Sequence, residues 1–245
     1  LNKTTMNPQF SIAPTHLHNP AVENTMTSAD PGLISHRNQF EPYVNNGGTV
    51  VGIAGKDFVV IGADTRMSVG YTILSREYSK VSPLTSKCLI TSSGMASDCS
   101  TLNKTIKYRL TNYNHEFKKE PTTSAVAQLL SNTLYSRRFF PYYAFNLVCG
   151  LDEEGKGVVY GYDAVGSYDE VGCAAQGSAG DLIQPVLDNQ FGNGNDKSIT
   201  ETRETVIDVF SSATERDLYT GDGLDVYVLS KDGLQHERVP LRRDQ

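Results

Sequence analysis

The 245-residue chain has no apolar run approaching the roughly 18 residues needed to cross a bilayer. Its start lacks the charged segment followed by an apolar block that marks a secretion signal. No membrane partner and no secretory route are therefore expected. Basic side chains are also scarce and scattered: Lys and Arg number 22 against 28 Asp and Glu, giving a net charge of -6 and a pI near 5.4. Phosphate binding needs gathered cations, and Arg137-Arg138 is too short a run to supply them, so no nucleic-acid partner is expected. Cysteines are few, at 88, 99, 149 and 173, with no CxxC or Cys/His metal spacing. Each lies in or beside an apolar segment, where a thiol behaves as a small hydrophobe. Neither a metal nor a cofactor is expected, and reduced core thiols suit the cytoplasm and nucleus. The sequons at Asn2 and Asn103 are read as chance matches.

What is present is a hydrophobic fraction of 38%, enough for a sizeable core. Residues 1–46 are rich in Asn, Thr, Pro and His and show no period of 2 or 3.6, which reads as a flexible leader. Residues 47–245 form the domain. Its opening runs, "TVVGIAG" and "FVVIGAD", are β-branched and flank Lys56-Asp57, as a hairpin with a tight turn would. "KCLITSSG" is a strand. Leu102, Ile106, Leu110 and Tyr113 then recur on one helical face. A second helix follows Pro121, with Thr122 or Thr123 as cap and Val126, Leu129, Leu130, Thr133 and Leu134 as its stripe. "YAFNLVCG" and "GVVYGYD" pair across the "DEEG" turn, Asp152 to Gly155. A short helix near 179–189 and a longer one near 199–216 come next. The longer one opens on the capping box Ser198 to Glu201 and turns Val206, Ile207 and Phe210 inward. "LDVYVLS" and "HERVPL" close the chain as a hairpin. Segregated blocks of strands and helices favour an α+β arrangement of two stacked sheets with helices outside.

Within this frame the Gly48-Thr49 opening, "VVIGADTR", Lys80, "QGSAGD" and "SATERDLYTGDG" occur in the order and spacing of a proteasome β-type subunit. The match spans residues 47–240. The block from Tyr135 to Tyr168, "YSRRFFPYYAFNLVCGLDEEGKGVVYGYDAVGSY", resembles the members of that family at the sixth position of the β ring. The resemblance implies the Ntn-hydrolase fold, a four-layer αββα sandwich. It implies other α and β subunits of the core particle as partners, with regulatory caps and unfolded substrates reached indirectly. In active members an N-terminal threonine is the nucleophile and its own α-amine the base, a sound pairing because that amine titrates near 8.

Carried over residue by residue, Asp64 falls where the family's aspartate orients its lysine, and Lys80 where that lysine lies. Ser178 matches the serine of the family's Gly-Ser motif and Asp217 the aspartate that pairs with it, while Thr220 stands where active members usually have serine. Counting back at the family's spacing from Asp64 and from Lys80 reaches Gly48 both times, so Thr49 is one residue late. On a strand that offset turns a side chain to the opposite face. The sixth-position resemblance likewise implies a subunit without peptidase activity. The expectation is a non-catalytic structural β subunit that completes the ring and chamber for ATP- and ubiquitin-dependent protein degradation. The alternative is a threonine endopeptidase using Thr49 after leader cleavage, which requires the turn at Gly55 to Asp57 to be one residue shorter than in active members. A free-standing amidohydrolase is a third, weaker option.

Each site residue also has a plainer account. Asp64 alone would cap a turn or pair with Arg66, Lys80 would be solvated, Ser178 a loop hydroxyl and Asp217 a helix end. "RRFFPYY" combines arginine with aromatics, as protein interfaces do. Arg137, Arg138, Phe139, Phe140, Tyr142 and Tyr143 are therefore the interface candidates.

Overall fold

The computed structural model describes residues 40–192 and 196–243. Residues 1–39 of the expected leader, including the Asn2 sequon, lie outside them. The chain divides into units Leu1–Pro42 and Tyr43–Gln245, and the second carries all the elements below. Residues 43–46, which resemble the leader in composition, thus belong to the compact unit.

The hydrophobic runs set the strands. β1 (Thr49–Ala54) and β2 (Phe58–Asp64) pair antiparallel from Val50 opposite Ala63 to Ala54 opposite Val59. Their two-residue turn, Lys56-Asp57, is closed by the Gly55 amide donating to the Phe58 carbonyl at 2.8 Å. Both strands are buried almost throughout. A short hairpin follows, β3 (Met67–Val69) with β4 (Thr72–Ser75), then β5 (Val81–Thr85) and β6 (Cys88–Gly94). Next come helices α1 (Ala96–Phe117) and α2 (Thr123–Tyr135), and strands β7 (Ala144–Leu151), β8 (Gly157–Tyr162), β9 (Tyr168–Val171) and β10 (Cys173–Gly177). Helices α3 (Gly180–Phe191) and α4 (Ile199–Ala213) precede the closing hairpin, β11 (Gly223–Ser230) with β12 (Gly233–Pro240). β3, β4, β5, β9 and β10 carry no strong pattern in the sequence, and α4 ends three residues before the expected 216.

One sheet runs β10-β1-β2-β11-β12 and the other β5-β6-β7-β8-β9. Three apolar layers hold four structural layers together. Cys88, Ile90 and Val148 pack under Leu102, Ile106, Leu110, Val126 and Leu130 of α1 and α2. Val50, Val59, Ile61, Leu89, Leu147 and Val159 fill the gap between the sheets. Val51, Ile53 and Val60 meet Ile183, Leu187, Val206 and Phe210 of α3 and α4. This is the α+β four-layer αββα sandwich of the Ntn hydrolases. Tyr113 and Ile207, expected on the inward faces, are half-buried. All four cysteines are free and buried, and burial pushes the Cys88 and Cys99 thiols up to about 12.

Helix starts follow their capping chemistry. The Thr122 hydroxyl accepts from the Ala125 amide at 3.2 Å, and Ser198 and Glu201 form the full capping box. α1 has Met95 at its cap position, which offers no acceptor. Its otherwise unpartnered first amide, at Ala96, instead donates to Asn46 Oδ1 at 2.8 Å, a cap supplied from 50 residues away in sequence.

The end of β2 is tied to the start of β11 by an ion network whose central pair, Arg66 and Asp222, is buried while Arg76 reaches it from the surface. Arg66 Nε donates to Asp222 Oδ2 at 2.7 Å, Arg66 also reaches the Leu218 carbonyl, and Arg76 binds the other Asp222 oxygen. Burial pushes the Asp222 carboxyl up, but the bonds and charges of Arg66 and Arg76 outweigh it and hold the group below its ordinary range. Asp222 sits at φ 71°, a left-handed conformation that Asn also tolerates. Asp222→Asn therefore removes charge with little change of shape, leaving two arginines facing a neutral group. The expected loss in urea unfolding at pH 7 is about 3–5 kcal/mol. Because the folded-state pKa is depressed, this stability is present above about pH 4 and is lost as the pH falls through the folded value. The gap between variant and parent should accordingly narrow in acid.

Candidate functional site

The pleat of β1 decides what each residue at its head can touch. Val51 and Ile53 point into the layer against α3 and α4, whereas Val50 points between the sheets. With period 2, Thr49 shares the helix-facing side. The register is fixed on both flanks, by β2 and by Thr49 opposite Gly177 on β10.

Gly48 faces Lys80. A side chain at 48 would begin 2.0 Å from Lys80 Cε and 2.7 Å from Nζ, so the lysine occupies the volume that a threonine there would need. Gly48 has φ +89°, which L residues rarely adopt, and its carbonyl accepts from the Ser178 amide at 3.0 Å. Gly177 is equally constrained, at φ +101°, because a Cβ there would lie 2.0 Å from that carbonyl oxygen.

Lys80 is buried rather than solvated, and its ammonium has a partner for each of its three protons. Nζ donates to the carbonyls of Asp64 at 2.8 Å and Arg66 at 2.6 Å, and pairs with Asp64 Oδ1 at 3.1 Å. Asp64 accepts from the amides of Thr49 at 2.8 Å and of Arg66 and Gly221 at 3.3 Å each. The Arg66 guanidinium binds Asp222 instead. Complete burial is the strongest influence on the Asp64 carboxyl and pushes it up, against the pull of Lys80 and of the Thr49 and Gly221 amides.

Thr49 points the other way. Its Oγ1 accepts from the Ala179 amide at 3.0 Å and lies 2.8 Å from Thr220 Oγ1 and 3.5 Å from Ser178 Oγ. Thr220 and Ser178 both donate to Asp217 Oδ2, the latter at 2.6 Å. With the Thr220 proton committed to Asp217, Thr49 donates to Thr220, and a relay of hydroxyls ends on one carboxylate. Thr49 itself has no solvent-accessible surface.

The seven site residues read from the sequence thus converge around the head of β1, in two groups on opposite faces of the strand. Lys80 and Asp64 attend Gly48, while Ser178, Asp217 and Thr220 attend the Thr49 side chain. A cavity of about 260 Å³ adjoins Gly48, walled by the backbone of Gly47, Gly48, Gly94 and Gly177 with Tyr143 and Phe145. No carboxylate, lysine or histidine lines it. Among the described residues no cluster of His, Cys, Asp or Glu could hold a metal.

Sequence reasoning missed Asn46. Its amide donates to the Gly94 carbonyl at 2.9 Å, its carbonyl accepts from Ser68, and its side chain bonds both the Ser68 carbonyl and the start of α1. The signal was a helix whose cap residue, Met95, has no acceptor, which obliges some distant group to serve.

Gly48→Thr should lose at least about 2 kcal/mol in urea unfolding, since a left-handed L residue alone costs about 1–2 kcal/mol and Lys80 must also leave its three acceptors. A neutral result would mean that backbone and lysine relax without cost.

Comparison with known proteins identifies the family. The family described as Proteasome subunit matches residues 44–229. Proteasome subunit beta type-1 of Arabidopsis thaliana is 52% identical over 216 residues, covering 84% of this chain and 97% of that protein. The Danio rerio protein of the same name is 48% identical over 220 residues, covering 87% and 92%. Proteasome subunit beta type-6 of Saccharomyces cerevisiae is 42% identical over 223 residues, covering 84% and 92%. The chain belongs to the proteasome β-subunit family.

Proposed function

We propose that this subunit is non-catalytic and serves the core particle structurally, assembling with other α and β subunits in the cytoplasm and nucleus to complete a β ring and its proteolytic chamber. The observation that carries this reading is the residue facing Lys80. It is Gly48, which has no hydroxyl, and its missing side chain is replaced by the lysine itself.

Three further features support it. While Gly48 and Thr49 are joined, Thr49 presents an amide committed to Asp64 in place of a basic α-amine. The Thr49 hydroxyl is fully buried and turned toward α3, where no substrate carbonyl could approach it. Lys80 has no proton left to share with a reacting group. The retained Asp64, Lys80, Ser178, Asp217 and Thr220 act as a hydrogen-bonded scaffold joining β1, β2, β10 and the segment before β11.

The peptidase alternative draws on the relay from Thr49 through Thr220 to Asp217, which could in principle polarise the hydroxyl. It would need a cut after Gly48 and a rotation of Thr49 to the opposite face of β1. The two readings separate on chemistry. A lactone that acylates N-terminal threonine hydroxyls, applied to the assembled particle, should leave the mass of this chain unchanged. An acyl adduct on Thr49 would establish the alternative.

A further inference from the structure

The connection from α2 to β7 carries the interface candidates, and the structure sorts them. Tyr142 and Tyr143 are half-buried: Tyr142 packs against the α1/α2 core, and the Tyr143 amide donates to Asp98 at 2.8 Å. The residues before Pro141 stand out from the surface. Phe139 is 95% exposed, Tyr135 58% and Phe140 54%, with Arg137 and Arg138 exposed between them.

This projection is held in shape. Arg137, Arg138 and Phe140 amides donate to the carbonyls of Leu134, Tyr135 and Arg137, each at 3.0 Å. The Arg137 guanidinium lies 5.4 Å from the Tyr142 ring centre, and Arg138 lies 5.8 Å from Tyr135 and 5.6 Å from Phe139. Tyr43 braces it from below, its hydroxyl donating to the Pro141 carbonyl at 2.7 Å and its ring 5.5 Å from both Phe140 and Tyr143. Little conformational entropy is left to lose on docking, which favours tight association.

Among the described residues no carboxylate pairs with Arg137 or Arg138, although the chain as a whole is acidic. Exposed aromatics interleaved with unpaired arginines are the composition of interface anchors, and arginine matches carboxylate in its forked geometry. We infer that residues 135–140 form a preorganised anchor that seats on a carboxylate-bearing, apolar-floored surface of an adjacent, different subunit of the core particle. A nucleic-acid partner is disfavoured because two arginines on a chain of net charge -6 cannot neutralise a phosphate backbone. The inference rests on family membership and is independent of whether Thr49 reacts.

The test places a photo-crosslinking benzoylphenylalanine at position 139 in the full chain within the assembled particle. The expected product is an adduct with one other subunit, mapping beside Asp or Glu residues. Combined with Arg137→Glu and Arg138→Glu, the yield of that adduct and the incorporation of the chain into particles should fall about tenfold, while Arg137→Lys with Arg138→Lys, which keeps the charge, should lose less. Both arginines are solvent-exposed, so the substituted chain should still unfold cooperatively, its midpoint shifted only by the lost ring contacts. An adduct with RNA, an adduct with a second copy of this chain, no adduct in intact particles, or unchanged incorporation after charge reversal would each overturn the inference.

Discussion

Everything at the candidate site depends on the two-residue alternation of β1. The pleat fixes the Thr49 side chain on the helix-facing side, while Gly48, left-handed just before the strand, leaves its own position facing Lys80. That register is pinned by the Lys56-Asp57 turn on one side and by pairing with β10 on the other. Slippage by one residue would carry Val50 out of the gap between the sheets and Val51 into it, dismantling two apolar layers together. The hydrophobic core therefore holds the Thr49 side chain on the face of the strand away from Lys80.

The polar residues around this strand form a closely bonded network in which each member holds another in place. Lys80 binds the carbonyls of Asp64 and Arg66 at the end of β2 and the carboxylate of Asp64, and Asp64 in turn fastens three backbone amides. On the opposite face, the hydroxyls of Thr49, Ser178 and Thr220 converge on Asp217. Removing one member would leave another buried and unsatisfied, a cost of about 1–3 kcal/mol for a neutral group and more for a charge. Such mutual dependence ties each of these residues to the fold. Residues 43–46 belong to the same structure, because Asn46 caps α1 and Tyr43 supports the exposed loop before β7.

Much of this was legible in the sequence, for identifiable reasons. "TVVGIAG" and "FVVIGAD" are uninterrupted and β-branched, and the polar pair between them leaves only a tight hairpin. The Ser198 capping box is local, so its signal survives without tertiary knowledge. The positions of Asp64, Lys80, Ser178 and Asp217, and the spacing that puts Thr49 one residue late, came from family resemblance; the pleat added that such an offset turns the side chain to the other face. Three-to-five-residue strands such as β3 and β10 escaped because they are too short to display a period. The Arg66–Asp222 pair and the Asn46 cap join positions 156 and 50 residues apart, and only the folded topology brings such groups together. Even with the correct residues in hand, the sequence could not say that Lys80 fills the space beside Gly48.

The most direct measurement is the intact mass and N-terminal sequence of this chain recovered from assembled core particles. The account predicts a start upstream of Gly48, with Tyr43 and Asn46 still attached. A chain beginning at Thr49 would possess a free α-amine next to the hydroxyl, would have lost the α1 cap, and would contradict the structural reading of the site.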